Sequence, residues 1–308
     1  MGILVIGATF VDIKGFPFDN YLPTGRNAGR VEYVHGGVAR NVVEDIANIE
    51  LRPTFLSIVD DTPMGDAVVK KLKNHKVNTD YVLTRPDGMG TWLAVFDNKG
   101  DVAGSISKRP NMYPIAELLQ EKGDEIFSQV PSVVLEIGLD KEIVKSTLAL
   151  CKKHKVKSFA LVANMSIAAE RRDLLQQFDC VICNQQEAGI LFLDDYENKA
   201  PEEMRDILAE RIVAANIPSM VVTMGAAGAV YANLQGETGV CPARNVQVKD
   251  TTGAGDSFCA GVAIGMTYGK TMAESVEIGT TLAASVITSS ENVCPRFRPE
   301  ELGIQVKN

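Results

Sequence analysis

Histidine is scarce in this chain of 308 residues, which contains only His35, His75 and His154. The three lie far apart in the sequence and show none of the paired spacings with which histidines bind zinc. A metal site built on imidazole groups is therefore not expected.

The sequence also lacks any run rich in lysine and arginine. Acidic residues outnumber basic ones by 39 to 31, and the formal net charge at pH 7 is −8. Binding to nucleic acid or to an anionic membrane usually requires a basic patch, so we expect neither partner. A small-molecule partner is expected instead, and a nucleotide is compatible with it because backbone dipoles and a metal ion can bind phosphate whatever the net charge.

No apolar run approaches the length that crosses a membrane. The first residues, M-G-I-L-V-I-G, lack the basic start and the cleavage region of a signal peptide. Six cysteines are scattered through the chain, and we expect reduced thiols in a cytoplasmic protein. Cys180 and Cys183 have the spacing of a redox motif, but they lie in an apolar strand-like run and are interpreted as buried strand residues.

The sequence does contain a regular alternation of short apolar runs and helical patterns. This alternation predicts an α/β fold with a mostly parallel, doubly wound sheet that has helices on both faces. The predicted strands of this core are 3–6, 54–59, 133–137, 158–162, 180–183, 220–224, 229–234, 239–242 and 245–248. The clearest predicted helices are 36–50, 63–72, 141–153, 201–215, 255–268 and 272–289.

Residues 12–34 and 91–107 interrupt the alternation. Both segments contain alternating residues and turn signals, such as D-N-K-G at 97–100. They predict a small separate sheet inserted in the α/β core of a single domain that spans residues 1–308. An ordinary edge hairpin is the alternative.

The run D-T-T-G-A-G-D-S-F at 250–258 is the strongest functional signal. Gly253 and Gly255 allow several backbone N–H groups to face one side, and the following helix adds its partial positive charge, so an anion is expected here. Asp256 would lie in the first helical turn, where a carboxylate can accept the proton of a substrate hydroxyl. In the alternative interpretation Thr252 is a helix N-cap and Asp256 a favourable first-turn charge.

Four positions in the amino-terminal part favour binding of a polyol. Asp12 follows the first strand and would project from the carboxyl edge of the sheet, where doubly wound folds bind ligands. Gly36 and Gly37 allow close approach of the backbone, and Asn41 offers both a donor and acceptors one helical turn later. The structural alternatives are a solvated loop aspartate and a glycine-initiated helix with Asn41 on its solvated side.

The run at 250–258 resembles the carboxy-terminal signature of the ribokinase-like, PfkB-type sugar and nucleoside kinases, and G-G-V-A-R-N at 36–41 resembles their first signature. The resemblance implies a ribokinase-like three-layer α/β/α fold with a β lid, through which some members form homodimers. It also implies transfer of the ATP γ-phosphoryl group to a primary hydroxyl. Asp256 would be the base, and the amides of Gly253, Ala254 and Gly255 would form the anion hole.

N-x-x-E at 184–187 follows an apolar strand. By the same resemblance, Asn184 would lie at the ATP, and Glu187 would act through water on Mg²⁺, an ion that keeps several waters in proteins. The pattern alone is equally typical of a helix capping box.

T-M-G-A-A-G at 223–228 follows another strand. The resemblance implies that Thr223, Gly225 and Gly228 lie along the bound nucleotide. The glycines alone would support only a turn from a strand into a hairpin.

Two further assignments follow from the resemblance, and one departure weakens it. Asp250 and Thr252 resemble residues that bind a monovalent cation such as K⁺ in several members. Arg109 leaves the predicted lid where it could meet a phosphoryl group, although a solvated loop is an equal alternative. Many relatives have Asp-Pro or Asp-x-Asn where this chain has A-N-M at 163–165, so an outer contact to metal or phosphate is expected to be missing or moved.

These observations predict an ATP-dependent kinase that phosphorylates a hydroxyl of a sugar or sugar-like small molecule. Pseudouridine or another nucleoside is the alternative acceptor, and the R-N pair at 40–41 resembles the pseudouridine kinase branch. A non-catalytic sugar or nucleotide sensor is the alternative of another class, against which the intact Asp256 argues. A dinucleotide-dependent oxidoreductase is disfavoured because residues 7–12 lack the G-x-G-x-x-G pattern.

Overall fold

The computed structural model describes residues 2–163 and 165–306. The strands are β1 Leu4–Ile6, β2 Phe10–Pro17, β3 Gly29–Gly36, β4 Thr54–Val59, β5 Asn78–Thr84, β6 Gly90–Phe96, β7 Val102–Lys108, β8 Ser132–Glu136, β9 Lys157–Leu161, β10 Cys180–Asn184, β11 Ser219–Thr223, β12 Ala229–Asn233 and β13 Thr238–Cys241. The α-helices are α1 Val38–Asn48, α2 Pro63–Asn74, α3 Tyr113–Phe127, α4 Lys141–His154, α5 Met165–Ala169, α6 Arg172–Leu175, α7 Gln185–Phe192, α8 Pro201–Ala215, α9 Ala254–Thr267 and α10 Met272–Ile287.

Nine of the strands form one large sheet in the order β13-β12-β11-β10-β9-β8-β1-β4-β5. Neighbours from β11 to β5 are parallel, whereas β12 and β13 pair antiparallel at one edge. The order reverses at β1, because the chain adds β4 on one side and β8 on the other. Helices cover both faces, so the predicted three-layer, doubly wound α/β fold is confirmed.

The central strand β1 shows how the core is divided. Leu4 and Ile6 belong to the apolar layer beneath α3, α4 and α8, whereas Ile3 and Val5 belong to the layer beneath α1, α2, α9 and α10. All four side chains are fully buried. An uninterrupted apolar run is what a parallel strand needs when helices cover both of its faces.

The remaining strands form a small sheet in the order β3-β2-β6-β7. The pairs β2–β3 and β6–β7 are antiparallel, and β2 lies parallel to β6. The two segments predicted to leave the core, 12–34 and 91–107, lie mostly in these strands. Because β2 follows β1 after only three residues, the small sheet begins at the carboxyl edge of the large one.

One predicted strand is wrong, since residues 245–248 form no strand. The chain leaves β13 at the outer edge of the large sheet and turns back toward the helices. There the Lys249 amide donates to the Ile287 carbonyl at 2.7 Å, at the end of α10. The segment thus has a helix end, and not a strand, as its neighbour.

All six cysteines are free thiols. Cys180 and Cys183 are buried in β10, as predicted, and burial raises the pKa of Cys180 to about 12. Such a thiol stays protonated at neutral pH and is a poor nucleophile.

None of the helices over residues 2–163 and 165–306 is long and apolar enough to cross a lipid bilayer.

Helices α9 and α10 approach each other closely through small residues. A Cβ placed on Gly261 of α9 would lie 2.6 Å from Cα of Gly279 in α10, so only glycine fits at this crossing. The close packing positions the first turn of α9, which carries Asp256.

Replacing Gly261 by Ala is therefore expected to lower the free energy of unfolding by about 1–3 kcal/mol, because the backbone of α10 must shift. Urea titration followed by circular dichroism measures the change. Gly104→Ala in β7 is the matched control, because a Cβ there meets no atom within 4 Å. Its effect should stay within about 0.5 kcal/mol, and equal stability of the two variants would contradict the close crossing.

Candidate active site

A cleft of about 530 Å³ lies between the carboxyl edge of the parallel strands and the small sheet. We call it the first cleft. Six of the residues predicted for catalysis or substrate binding line it, namely Asp12, Gly37, Asn41, Arg109, Gly253 and Asp256. They come from four distant stretches of the chain, which the fold brings to one place.

Asp256 is tied to α1 by a side-chain hydrogen bond. Asn41 Nδ2 donates to Asp256 Oδ2 at 2.6 Å, across 215 positions of sequence. Asn41 is buried and so does not lie on a solvated side of its helix. One carboxylate oxygen of Asp256 is thus held, and the residue still lines the first cleft.

The surroundings of Asp256 favour its neutral form more than water would. Burial raises the pKa of Asp256 to about 7. The hydrogen bond from Asn41 and the charge of Arg40 lower this pKa, while the carboxylates of Glu136 and Glu187 raise it. A carboxylate with a pKa near 7 is well suited to take a proton at neutral pH.

Asp12 lines the first cleft from β2, and Gly36 makes room for its side chain. A Cβ on Gly36 would lie 2.4 Å from Asp12 Oδ1. Gly37 has φ +97, and a Cβ there would lie 2.7 Å from the Ala8 carbonyl oxygen. Asp12 is half-buried and not a fully solvated loop residue, and burial raises its pKa. Gly37 lines the first cleft, whereas Gly36 lies next to it and is not part of the lining.

Glu136, at the end of β8, also lines the first cleft and was missed by the sequence analysis. It is buried, its Oε2 accepts from the Ala8 amide at 2.9 Å, and burial raises its pKa. No motif surrounds it. The available signal was its position at the carboxyl end of a buried strand, the same signal that pointed to Asp12.

The first cleft has an aromatic lining that the sequence analysis also missed. Phe10 and Trp92, the only tryptophan of the chain, line it together with the apolar side chains of Val38 and Met112. Asp12 and Trp92 are direct cross-strand neighbours in the small sheet. A carboxylate and an indole ring therefore stand side by side in one wall.

The turn before α9 presents unpaired backbone donors. Gly253 is the N-cap of the helix with φ +83, a conformation that favours glycine. Among the described residues, the amides of Gly253, Gly255 and Asp256 donate to no protein acceptor. The amide of Ala254 differs from the prediction, since it donates to the Thr251 carbonyl at 3.2 Å and is not free for an anion.

A second cleft, of about 620 Å³, lies on the other side of the same turn. The residues predicted along the nucleotide, Thr223, Gly225 and Gly228, all line it. Within the turn, Thr252, Gly253 and Asp256 line the first cleft, and Thr251, Ala254 and Gly255 line the second. The start of α9 is thus the wall between two clefts.

Asn184 and Glu187 form a complete capping box at the start of α7. Asn184 Oδ1 accepts from the Glu187 amide and Glu187 Oε2 accepts from the Asn184 amide, each at 2.8 Å. Neither residue lines the first or the second cleft. Glu187 is nevertheless near enough to raise the pKa of Asp256, and burial raises its own pKa.

The two residues predicted for a monovalent cation interact with each other. The Thr252 amide donates to Asp250 Oδ1 at 2.9 Å. Burial tends to raise the pKa of Asp250, but the hydrogen bonds from Thr252 and Thr251 and the charge of Lys14 together outweigh it and lower that pKa. Asp250 is exposed and lines neither cleft. Thr252 is not the N-cap of α9, a position that Gly253 occupies.

Arg109 lies just after β7, at the rim of the first cleft. Its side chain is exposed, and Nη1 donates to the Gly138 carbonyl at 3.3 Å. The departure from the resemblance at 163–165 is centred on Asn164, which lies outside the described residues.

Comparisons with known proteins agree on one family. The chain matches the family described as "pfkB family carbohydrate kinase" over residues 2–294. Guanosine-inosine kinase from Exiguobacterium acetylicum is 35% identical over 292 residues, which cover 94% of this chain and 95% of that protein. Pseudouridine kinase from Escherichia coli is 25% identical over 276 residues, which cover 89% and 86%.

Solved structures share the fold. Arabidopsis thaliana ribokinase complexed with ribose and ATP superposes with a TM-score of 0.85 over 97% of both chains, at 21% identity. A sugar kinase structure from Clostridium perfringens superposes with a TM-score of 0.80 over 97% of this chain and 93% of the other, at 25% identity.

The raised pKa of Asp256 predicts a stability change that does not depend on function. The pKa is about 7 in the folded chain against an ordinary 3.8. The ionised carboxylate therefore costs stability above about pH 7, the cost shrinks as the pH falls toward 4, and it is absent below both values. Asp256→Asn, which has the same shape without the charge, should raise the thermal unfolding midpoint at about pH 8 and leave it unchanged near pH 3.

Differential scanning calorimetry at several pH values measures this difference. Asp124→Asn is the control, because Asp124 is an exposed aspartate whose pKa is lowered by Lys153 and His154. That variant should lose stability, if anything, at the higher pH. A midpoint shift in Asp256→Asn that does not vary with pH would contradict the assignment.

Proposed function

Because this chain belongs to the pfkB family of carbohydrate kinases, and so is a phosphotransferase with an alcohol group as acceptor, we propose that it is an ATP-dependent nucleoside kinase with Asp256 as its general base. The acceptor that we propose is a purine nucleoside. Its primary hydroxyl would receive the γ-phosphoryl group of ATP.

One observation carries the chemistry: the turn before α9 separates two clefts and presents free amides between them. We assign ATP to the second cleft, which Thr223, Gly225 and Gly228 line. The acceptor belongs in the first cleft. The amides of Gly253 and Gly255 would then stabilise the charge on the transferring group.

Asp256 faces the acceptor side of this turn and would take the proton of the attacking hydroxyl. Asn41 occupies Oδ2, which leaves Oδ1 for that hydroxyl. Asp12 would bind other hydroxyls of the acceptor, and the backbone at Gly36 and Gly37 would let it approach closely. These contacts would hold the attacking oxygen in line, and positioning of this kind supplies much of the rate of phosphoryl transfer.

The aromatic wall of the first cleft supports a nucleoside more than a free sugar. Phe10 and Trp92 bring aromatic rings into the lining, against which a nucleobase would pack, and the Asp12 carboxylate would bind a ribose. The 35% identity to a guanosine-inosine kinase favours a purine base. Pseudouridine is the second candidate, because a pseudouridine kinase is 25% identical over 89% of the chain.

Family membership implies that ATP is used together with a divalent metal ion, and we propose that the ion is Mg²⁺. Glu187 is the candidate to hold this ion through water, because in the described part of the chain no cation influences its carboxylate and its charge raises the pKa of Asp256. Mg²⁺ neutralises charge on the phosphates when bound.

Asp250 and Thr252 are the candidate ligands for a monovalent cation such as K⁺. Arg109 is the candidate to contact the transferred phosphoryl group.

We also propose that the small sheet is the lid of a single domain over residues 1–308 and the contact between two copies of the chain. Successive residues of a strand face opposite sides, so the face with Asp12 looks into the first cleft and that with Ile13 looks away. Ile13, Tyr33, Leu93 and Ile106 form a row across all four strands of the outer face. Tyr33 is 63% exposed and Ile106 70%, an apolar surface typical of an interface.

ADP release on a panel of acceptors tests the proposed function. With guanosine or inosine, kcat/KM should exceed that for free ribose about 10- to 100-fold, because stacking of the base is lost with the sugar alone. Turnover of free sugars only would contradict the nucleoside assignment. Binding of acceptors without any turnover would favour the sensor.

Asp256→Asn, assayed on the best acceptor of that panel, should lower kcat by about 10²- to 10⁴-fold while the KM for ATP stays close to that of the wild type. Asp124→Asn should keep the wild-type kcat. Wild-type turnover in Asp256→Asn would show that another group takes the proton.

The apolar row on the outer face of the small sheet predicts a dimer that one charged substitution in the row would disrupt. Analytical ultracentrifugation should give about twice the chain mass of 33.3 kDa for the wild type and the mass of one chain for Ile106→Lys. Val213→Lys on α8 is the control, because Val213 is 66% exposed and lies outside the small sheet. A wild type that sediments as a single chain would contradict the proposal.

A further inference from the structure

The amide of Asn41 must be turned the right way for Asp256 to be held. Its two ends have nearly the same shape, but only the NH₂ end can donate to a carboxylate. If the amide were rotated by half a turn, Oδ1 would face Asp256 Oδ2 and repel it. The group that selects the orientation therefore controls where the proposed base points.

Arg40 makes that selection. Its Nη2 donates to Asn41 Oδ1, and a guanidinium group has only donors, so it can bind the oxygen end of the amide and never the NH₂ end. With Oδ1 bound to Arg40, Nδ2 is left to face Asp256 Oδ2 at 2.6 Å. The orientation of Asn41 thus follows from the charge and donor set of its neighbour.

Arg40 is itself held from two sides. Its Nη1 donates to Glu44 Oε2 at 2.6 Å, one helical turn later in α1, and its Nη2 also donates to the His35 carbonyl. Lys71 Nζ of α2 lies 2.8 Å from Glu44 Oε1 and forms an ion pair with it. Arg40 and Glu44 each expose only 1% of their side chains.

A fully buried ion pair is costly, and apolar residues of similar volume often replace such pairs without loss of stability. Helix α1 already packs on the core through buried apolar residues, namely Ala39, Val42, Val43, Ile46 and Ala47. Burial favours the neutral form of Glu44, but the charges of Arg40 and Lys71 outweigh it and lower the pKa of Glu44. The pair is therefore ionised, and stability alone does not account for its presence.

We propose that Arg40, held by Glu44 and Lys71, is a positioning residue for phosphoryl transfer. It fixes the amide of Asn41 so that Asn41 donates to Asp256 and leaves the other oxygen of that carboxylate facing the acceptor. Arg40 lines neither cleft, so it would act through Asn41. This inference rests on the function proposed above.

A double-mutant cycle in kcat tests the proposal, with the acceptor for which the wild type releases ADP fastest. Asn41→Ala and Arg40→Met should each lower kcat about 10- to 100-fold, because each removes a hydrogen bond involving a charged group. The variant with both changes should be no slower than Asn41→Ala by more than about twofold, since Arg40 has no amide left to orient. The KM for ATP should stay near the wild-type value in all three.

Effects of Arg40→Met and Asn41→Ala that multiply, or a wild-type kcat in Arg40→Met, would overturn the proposal. If Arg40→Met does not fold, Arg40→Gln serves in the same cycle with the same criterion, because a glutamine amide both donates and accepts and so no longer selects one end of the Asn41 amide. Ile46→Val, a buried apolar change in the same helix, is the control and should lower the unfolding midpoint without changing kcat.

The two levels of proposal fail in different ways. If the wild type released no ADP with any acceptor of the panel, the proposed function would be wrong. If the wild type were active and the cycle additive, only the role of Arg40 would be wrong.

Discussion

The contact between α1 and the first turn of α9 is the interaction on which the candidate site depends. It joins the amino-terminal and carboxy-terminal parts of the chain through buried polar groups. Asn41 donates to Asp256, and Ser257 Oγ donates to Asp45 Oδ2 at 2.8 Å one residue further along α9. The Cys294 amide donates to Asp45 Oδ1 at 2.6 Å, which adds the segment after α10 to the same contact.

Asp45 is fully buried and Asp256 is half-buried, and ionisation of either carboxylate lowers the stability of the fold. Burial raises the pKa of Asp45 to about 8 and that of Asp256 to about 7, so both resist ionisation. Asp45 is enclosed by donors, whereas Asp256 reaches the first cleft. An apolar contact between α1 and α9 would avoid the cost of ionising these groups, but it would hold no group able to take a proton at neutral pH. With Asp256 as the base proposed above, this loss of stability is of a kind that is common at active sites.

Local patterns predicted the elements well wherever burial is uniform. Strand 54–59 and helix 201–215 have the predicted bounds, and the helix predicted at 36–50 is shortened at its start because Gly37 adopts φ +97. The failure at 245–248 has a different cause. The run N-V-Q-V suggested a strand after the hairpin, but among the described residues no strand pairs with it. A strand needs a neighbour for its backbone hydrogen bonds, and the local sequence does not show whether there is one.

The sequence by itself determined the α/β alternation, the glycine turn before α9 and the identity of the charged residues near it, because periodicity, backbone freedom and residue chemistry are local properties. It could not show that Asn41 donates to Asp256, that Glu136 and Trp92 line the first cleft, or that the Ala254 amide donates to the Thr251 carbonyl. Only the tertiary structure decided these, since each depends on which distant segments meet at one edge of the sheet. The burial that follows from that meeting sets the pKa of Asp256, and no local pattern contains it.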